Sequence, residues 1–532
     1  MALLYAPQKK QKTTQKIIAE IQNLDYQGLG VAKIQGKTWF IENALPTEKV
    51  EAVVTDEKRQ YGLATAQKWL QKSNQRVEPQ CSYYERCGGC QGQHIPVEMQ
   101  RKAKEKALFS RLSKLQAEPI QLMPMICGEQ WGYRRRVRLS LLWNAKNKTV
   151  EMGFRQKNSN QLVCIQQCLV AEPAINDLIP KLSALWTQYS APKQLGHIEL
   201  VSAENGVAML LRYKGNLAET DRTLLLEFAR VNVVNLFLQD DQNIQLVHGE
   251  MPYYSLDDIR LSFDIRDFIQ VNTHLNQQMV ITALDWLDLN QDNHVLDLFC
   301  GMGNFTLPLA KRVKSAVGIE GVLDMVKKAQ ANSQFNHINN VEFYQADLDQ
   351  AFLEQPWAKQ HFNKILLDPP RSGAAFALNA LCELGAESIL YVSCNPATLV
   401  RDAEILHAFG YRIIKTAMID MFPHTSHLET VCLLSKLSEA KNHISVKVDM
   451  DEMDVTAAES KATYHEIQDW VQEKYGFHVS HLNIAKTKRK CGIIERQNYN
   501  LPKSEESRSP ETPEEKEEAI IEAFKAFQMI KP

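Results

Sequence analysis

The sequence has almost no net charge: 61 Lys and Arg stand against 63 Asp and Glu in 532 residues, a formal balance of -2. That excludes a chain-wide polycation of the kind that grips nucleic acid indiscriminately, so any phosphate-binding surface must be local. No apolar run reaches membrane-spanning length, and Met1 to Lys16 carries no apolar stretch of the sort that begins a secretory leader. A cytoplasmic protein without membrane contact is therefore expected. In that reducing setting the 11 cysteines are not needed as disulfides, which turns attention to metal binding and catalysis. The glycine turn Gly301-Met302-Gly303 lacks the third glycine of a dinucleotide fingerprint and is incomplete as an NAD site.

What is present is a thiol at a strand-to-helix junction. Ile389-Leu390-Tyr391-Val392-Ser393 reads as a buried parallel strand, and Asn395-Pro396 is an N-cap and first-turn pair opening a helix through Leu399, Val400, Ala403 and Leu406. Cys394 lies between them, facing the positive end of a helix dipole, which favours thiolate and makes it a candidate nucleophile. Taken alone, such a cysteine is better explained as a small apolar residue finishing a core strand. The rest of the chain has to decide.

The expected fold is multidomain, α/β plus β. After a flexible polar arm, residues 1–15, short β-like runs punctuated by Gly28, Gly30, Gly36 and Pro46 suggest a small OB-fold barrel over 16–74, a fold that commonly holds single-stranded nucleic acid. Residues 75–265 read as a mostly β central domain. It opens with Cys81, Cys87 and Cys90, three thiols in ten residues, with Gly88 and Gly89 letting the backbone fold round a ligand. Cys168 is the leading fourth ligand and Cys164 its rival; four thiols suit either structural zinc or an iron–sulfur cluster, and spacing does not separate the two. A basic helical stretch, 97–115, belongs either here or against the catalytic domain. Alternation then puts Arg134, Arg136 and Arg138 on one strand face as a candidate phosphate rail, and Phe268 is a further candidate RNA contact.

From 266 to 436 strands alternate with helices, the pattern of a doubly wound, Rossmann-like parallel sheet. Its second strand ends in Glu320, placed for a ribose hydroxyl pair, and its third leads to Asp347, placed for an adenine edge. Ribose and adenine contacts without a pyrophosphate cradle point to S-adenosylmethionine rather than NAD, with a Rossmann oxidoreductase as the competing reading. The fourth strand ends in Asp368-Pro369-Pro370-Arg371-Ser372-Gly373, where paired prolines stiffen a loop beside the ligand crevice, and Glu429 stands near the start of the last strand. An acidic linker, 437–460, leads to a helical C-terminal extension, 461–532. There a helix–turn–helix outline ending in the basic run Lys486 to Lys490 precedes an acidic loop up to Glu518 and a closing helix from Ala519.

Asp297-Leu298-Phe299-Cys300-Gly301-Met302-Gly303-Asn304, Asp368-Pro369-Pro370-Arg371, Ser393-Cys394-Asn395-Pro396 and His427-Leu428-Glu429 together resemble the RNA uracil-5-methyltransferase family. The N-terminal barrel resembles a TRAM domain, and the cysteine spacing is similar to that of the bacterial branch that acts on 23S ribosomal RNA and carries a [4Fe-4S] cluster. The resemblance covers roughly residues 10 to 436. It implies a class I S-adenosylmethionine-dependent RNA methyltransferase, a monomer, with Cys394 as nucleophile and Glu429 as proton acceptor. Gln270, Phe299, Asn304, Glu320, Asp347 and Asp368 would surround the methyl donor, and Cys81, Cys87, Cys90 and Cys168 would hold the cluster. Cytosine-5 methyltransferases typically place a cysteine after a proline in the fourth-strand motif, and amino-group methyltransferases an aromatic residue after the two prolines; this chain has Asp368-Pro369-Pro370-Arg371. The alternatives are a uracil-5 enzyme for another ribosomal or transfer RNA site, or a non-catalytic RNA-binding assembly factor that keeps the fold.

Overall fold

The computed structural model describes residues 15–157, 159–241, 243–350, 352–436, 464–475, 477, 479–491 and 513–526. They fall into two compact units divided between Glu439 and Ala440. The arm 1–14, the linker 437–460 and the stretch 504–512 lie outside the described residues.

In the larger unit the N-terminal strands Lys16–Glu20, Asn23–Leu24, Gly30–Ile34, Lys37–Glu42, Lys49–Glu57 and Tyr61–Gln71 form one sheet, in the order first, fifth, sixth, fourth, third, second. Its core is built on Trp39 and Ile41, with small residues opposite: a Cβ on Gly62 would lie 2.4 Å from the Trp39 ring, so only glycine fits. The buried Glu48 carboxylate fastens this sheet to the next segment. It accepts from the backbone of Leu45 at 2.8 Å and Ser73 at 3.2 Å, from Trp69 Nε1 at 3.2 Å, and from Arg76 at 2.7 and 2.9 Å.

The central sheet has seven strands, with helices Pro173–Leu185 and Glu219–Asn232 packed into the same core. Two neighbouring segments belong physically to the catalytic layers instead. Helix Val97–Leu112 buries Leu108 and Leu112 in the catalytic core, is sewn there by Arg101 and Lys104 pairing with buried Asp420 at 2.8 and 3.4 Å, and leads to an edge strand, Gln121–Leu122, parallel to Tyr411–Ile419. The hairpin Tyr253–Leu256 with Ile259–Ser262 buries Tyr254, Leu256 and Leu261 in the other catalytic layer.

The catalytic sheet runs, across its width, Val341–Gln345, Ser315–Glu320, His294–Leu298, Lys364–Leu367, Ser388–Ser393, Glu429–Lys436, Tyr411–Ile419 and Gln121–Leu122. The inner strands are apolar throughout because both faces are covered, and Glu429–Lys436 alone runs antiparallel to its neighbours. From His294–Leu298 the chain builds outward to one side and then returns to Lys364–Leu367 on the other. That reversal opens a crevice beyond the carboxyl ends of these strands.

The smaller unit packs helices Tyr464–Tyr475, His481–Lys490 and Glu514–Ala526 round Ile467, Val471, Ile484, Ile520 and Phe524. The third helix starts inside the acidic stretch expected as loop. Ala519, Ile520, Ala523 and Phe524 supply one apolar helical face, and Glu517 pairs with Lys490 at 2.6 Å. Among the described residues no helix is long and apolar enough to cross a membrane.

Candidate active site

Phe299, Asn304, Glu320, Asp347 and Asp368 follow the carboxyl ends of four adjacent parallel strands, which places them on one edge of the sheet, whereas Gln270 comes from the segment before helix Thr273–Trp286. After His294–Leu298 the chain turns back through Phe299, Gly301 and Gly303 at φ of 66°, 55° and 98°. A Cβ on Gly303 would sit 3.0 Å from Leu307, and the left-handed Phe299 costs about 1–2 kcal/mol. Buried Asp297 underlies the turn, accepting from Thr306 Oγ1 at 2.5 Å; burial pushes its carboxyl up to about 8. Glu320 is aimed by two backbone donors, Gly301 N at 3.1 Å and Val322 N at 3.0 Å. Asn304 is locked by the Tyr254 hydroxyl at 2.8 Å and by a reciprocal amide pair with Asn276 at 2.9 and 3.0 Å. Asp347 is exposed beyond the third strand, Gln270 is buried, and Asp368 is pushed up to about 7 by burial.

The thiol lies beside this crevice, on the fifth strand. Ser388–Ser393 pairs antiparallel with Glu429–Lys436 in a register that sets Ser393 against Thr430, so the next residue, Cys394, comes level with Glu429. The turn that follows is tied down at each step. Asn395 caps its helix by accepting from Ala397 N at 3.1 Å, and its Nδ2 donates to the Arg371 carbonyl at 3.0 Å, joined by Thr398 Oγ1 at 3.3 Å. Gly373, at φ 76°, lies so close to the same helix that a Cβ would meet Arg401 and Asp402 at 2.5 Å. The Asp368–Gly373 loop and the thiol loop are thus one rigid piece.

Helix-end electrostatics do not win at Cys394, contrary to the expectation of a favoured thiolate. Burial raises the thiol's pKa, Glu429 and Asp368 push the same way, and Arg371 opposes them. Desolvation and the two carboxylates work against the helix terminus. The Glu429 carboxyl is itself held well above the usual carboxylate range, first by burial and then by Asp368, against the pull of Arg371.

A cavity of about 390 Å³ adjoins this region, and Cys81, Cys87, Cys90 and Cys168 all line it; exposed Cys164 does not. Cys87 accepts from Gly89 N at 3.4 Å, and Asn176 braces Cys168 through its backbone at 2.8 and 2.9 Å. Among the residues lining it are four thiols, the donor set an iron–sulfur cluster uses. Among the described residues no group of three or more His, Cys, Asp or Glu side chains is set to hold a metal ion directly.

The arginine rail needs correction. Arg136 is half-buried, paired with Glu199 at 2.5 Å and hydrogen-bonded to the carbonyls of Ile265 and Asp267, because the 264–268 turn folds over that end of the strand. Arg134 is half-buried on the cysteine cavity, and Arg138 is the exposed member of the three. Arg138 lines both that cavity and a groove of about 290 Å³ that it shares with the Arg136–Glu199 pair, His197, Arg212 and Arg266. Phe268 is 74% exposed.

Several residues of the site were not singled out from the sequence. Fully buried Arg135 stacks 4.3 Å over Tyr254 and donates to the Gln270 carbonyl at 2.7 Å, tying the central sheet to the cofactor side; alternation, which turns 134, 136 and 138 one way, turns 135 inward. Asn276 and Tyr254 come from segments too distant for any local pattern to join to Asn304.

Comparison with known proteins bears on this geometry. The tRNA (Uracil-5-)-methyltransferase family profile matches residues 97–437, and the TRAM domain profile matches residues 10–66. Among curated proteins, 23S rRNA (uracil(1939)-C(5))-methyltransferase RlmD of Haemophilus parainfluenzae is 93% identical over 436 residues, 82% of this chain and 100% of the relative. The proteins of the same description from Haemophilus influenzae strain Rd and Pasteurella multocida are 70% and 59% identical, again over 82% of this chain and 100% of the relative. Among solved structures, Pyrococcus abyssi tRNA (uracil-54, C5)-methyltransferase in complex with S-adenosyl-L-homocysteine has a similar fold, with TM-score 0.62 and 23% identity over 79% of this chain and 100% of that one.

Proposed function

Because the chain belongs to the RNA uracil-5-methyltransferase family, we propose that it methylates carbon 5 of a uridine in 23S ribosomal RNA, the uracil 1939 site named for its relatives. It is an S-adenosylmethionine-dependent enzyme with an N-terminal TRAM domain, and a cytoplasmic, monomeric enzyme is part of the same proposal. The observation that carries the chemistry is the strand register that brings Glu429 level with Cys394, beside the stiff Asp368 loop.

Carbon 5 of uracil is a poor nucleophile. The Cys394 thiol gives up its proton and its sulfur bonds to carbon 6, which turns the ring into an enolate whose carbon 5 is electron-rich. S-adenosylmethionine supplies the methyl group. Glu429 then takes the proton from carbon 5, the sulfur–carbon bond breaks, and the ring double bond returns. A carboxylate whose burial favours its protonated form suits that step, since it gains from accepting the proton. Glu320, Asn304, Phe299 and Asp347 would hold the donor, and Gln270 and Asp368 would contact it as well and orient the uracil edge. The uridine must leave its stack to reach the crevice. Exposed Phe268 and Arg138, with the basic groove and the TRAM sheet, grip the surrounding RNA.

Cys81, Cys87, Cys90 and Cys168 would hold a [4Fe-4S] cluster; the support is one cavity that all four thiols line. Because the methyl transfer is redox-neutral, such a cluster would serve to build the site rather than to react in it. Anaerobic purification is expected to give about four irons per chain, and stoichiometric zinc would overturn the assignment.

Cys394→Ala tests the function itself. The variant is expected to bind a 23S RNA fragment as the wild type does and to transfer no labelled methyl group. Methyl transfer at the wild-type rate would remove Cys394 from the mechanism. Wild-type protein that binds the fragment but never methylates it would favour the assembly-factor reading.

A further inference from the structure

The stretch Pro423 to His427, just before the last strand, is held from several sides. Gln91 and Gly92 of the cysteine loop both donate to the His424 carbonyl, at 2.8 and 2.9 Å, and the Tyr133 hydroxyl donates to the Pro423 carbonyl at 3.0 Å. Buried Gln100, on helix Val97–Leu112, accepts from His424 N at 3.1 Å, and the His424 ring stacks on Trp131 with centroids 4.3 Å apart. So clamped, the segment puts the His427 side chain on the wall of the cysteine cavity, with Nδ1 2.6 Å from Arg371 Nη2. Arg371 is pinned at its carbonyl by Asn395, the residue after the thiol, and by Thr398, and its positive charge favours the Cys394 thiolate.

Guanidinium stays charged and only donates, so His427 must present an unprotonated Nδ1. Its surroundings agree: burial, Arg371, Lys104 and Arg134 all hold the imidazole neutral. Around the thiol, Arg371 and Asp368 come from the loop after the fourth strand and Glu429 from the last strand. Arg371 is therefore the cation that offsets two carboxylates, and its effect depends on where its guanidinium points.

We propose that His427 is a positioning residue that aims the Arg371 guanidinium at the Cys394 sulfur, and that its seat on the cysteine cavity ties the reactivity of this thiol to the build of that cavity. The proposal rests on the reading of Cys394 as nucleophile and deepens it. It explains why these cysteines stand beside a site whose chemistry needs no electron: the loop that carries Cys81, Cys87 and Cys90 grips the segment carrying His427 and, two residues on, Glu429.

The test is the pH dependence of Cys394 alkylation by iodoacetamide in the full chain, read by mass spectrometry of the peptide containing it. An oriented opposite charge at this range is worth about one pH unit or more. His427→Ala is expected to raise the midpoint by about one unit, and His427→Gln, which keeps an acceptor, to recover most of that shift. Arg371→Ala is expected to raise it as well, with no further rise when His427→Ala is added. Cys168→Ser, across the cavity, is expected to shift the midpoint in the same direction. A His427→Ala profile that overlays the wild type, or shifts that add in the double variant, would overturn the positioning role, and an unmoved midpoint in Cys168→Ser would overturn the link to the cavity. A merely structural histidine would lower thermal stability in both His427 variants alike without moving the midpoint. The midpoint is read without RNA or methyl donor, so its failure and that of the methyl-transfer test are separate.

Discussion

Glu429→Gln preserves the shape of a buried side chain and removes its ability to accept a proton. The structure predicts which step should stall. Sulfur addition and methyl transfer both precede proton removal, and neither needs the Glu429 carboxylate. Removing its charge should even ease ionisation of Cys394, because Glu429 pushes that thiol's pKa up. A positioned base contributes about 10²–10⁴-fold to a proton transfer, or about 3–5 kcal/mol of barrier. Turnover should therefore fall by about that factor while addition stays fast, and enzyme should accumulate as a methylated covalent adduct with RNA. The assay is a denaturing gel with an end-labelled 23S fragment, run in parallel with labelled methyl donor, so that the trapped band carries both labels. The pH profile has a defined sign. Glu429 acts only when ionised and its carboxyl is held well above the usual range, so the wild-type rate should climb with pH above the ordinary carboxylate range, and this limb should disappear from proton removal in the variant. Near-wild-type turnover with no adduct would refute the assignment, and so would a trapped adduct lacking the methyl group, which would place the carboxylate before methyl transfer.

A second prediction concerns stability. Glu48→Ala strips one buried carboxylate from five donors and leaves Arg76 without its partner, so the N-terminal sheet should lose about 3–5 kcal/mol. Denaturant titration should show an early transition confined to that sheet, monitored at Trp39 and Trp69, and an unchanged midpoint would mean that the network contributes little. The iron content, the Cys394→Ala assay and the His427 alkylation profile stated above complete the set.

Much of the site's framework follows from short-range rules. Apolar runs alternating with helical periods define the catalytic sheet, and strand ends place Glu320, Asp368 and Cys394 on its ligand edge, because a parallel sheet puts every carboxyl end on one side. Three cysteines within ten residues are a signal in themselves, since a loop so short can hardly keep them apart. Extent was harder to read. The Val97–Leu112 helix and the Tyr253–Ser262 hairpin belong to the catalytic layers through apolar faces whose partners lie a hundred residues or more away for the helix and several tens for the hairpin.

Sequence alone thus determined the order of elements, the residues at each strand end and the chemical types brought to the site, all consequences of backbone periodicity and local turn chemistry. Only the tertiary structure decided what those residues experience. Antiparallel pairing of Ser388–Ser393 with Glu429–Lys436 sets a carboxylate level with the thiol, and burial then raises both pKa values where a helix dipole alone suggested a lowered one. The same packing spends Arg136 on Glu199, turns Arg135 onto Tyr254, and hands Arg371 to His427. Charge and reactivity depend on desolvation and on neighbours contributed by distant segments, and no local pattern carries that information.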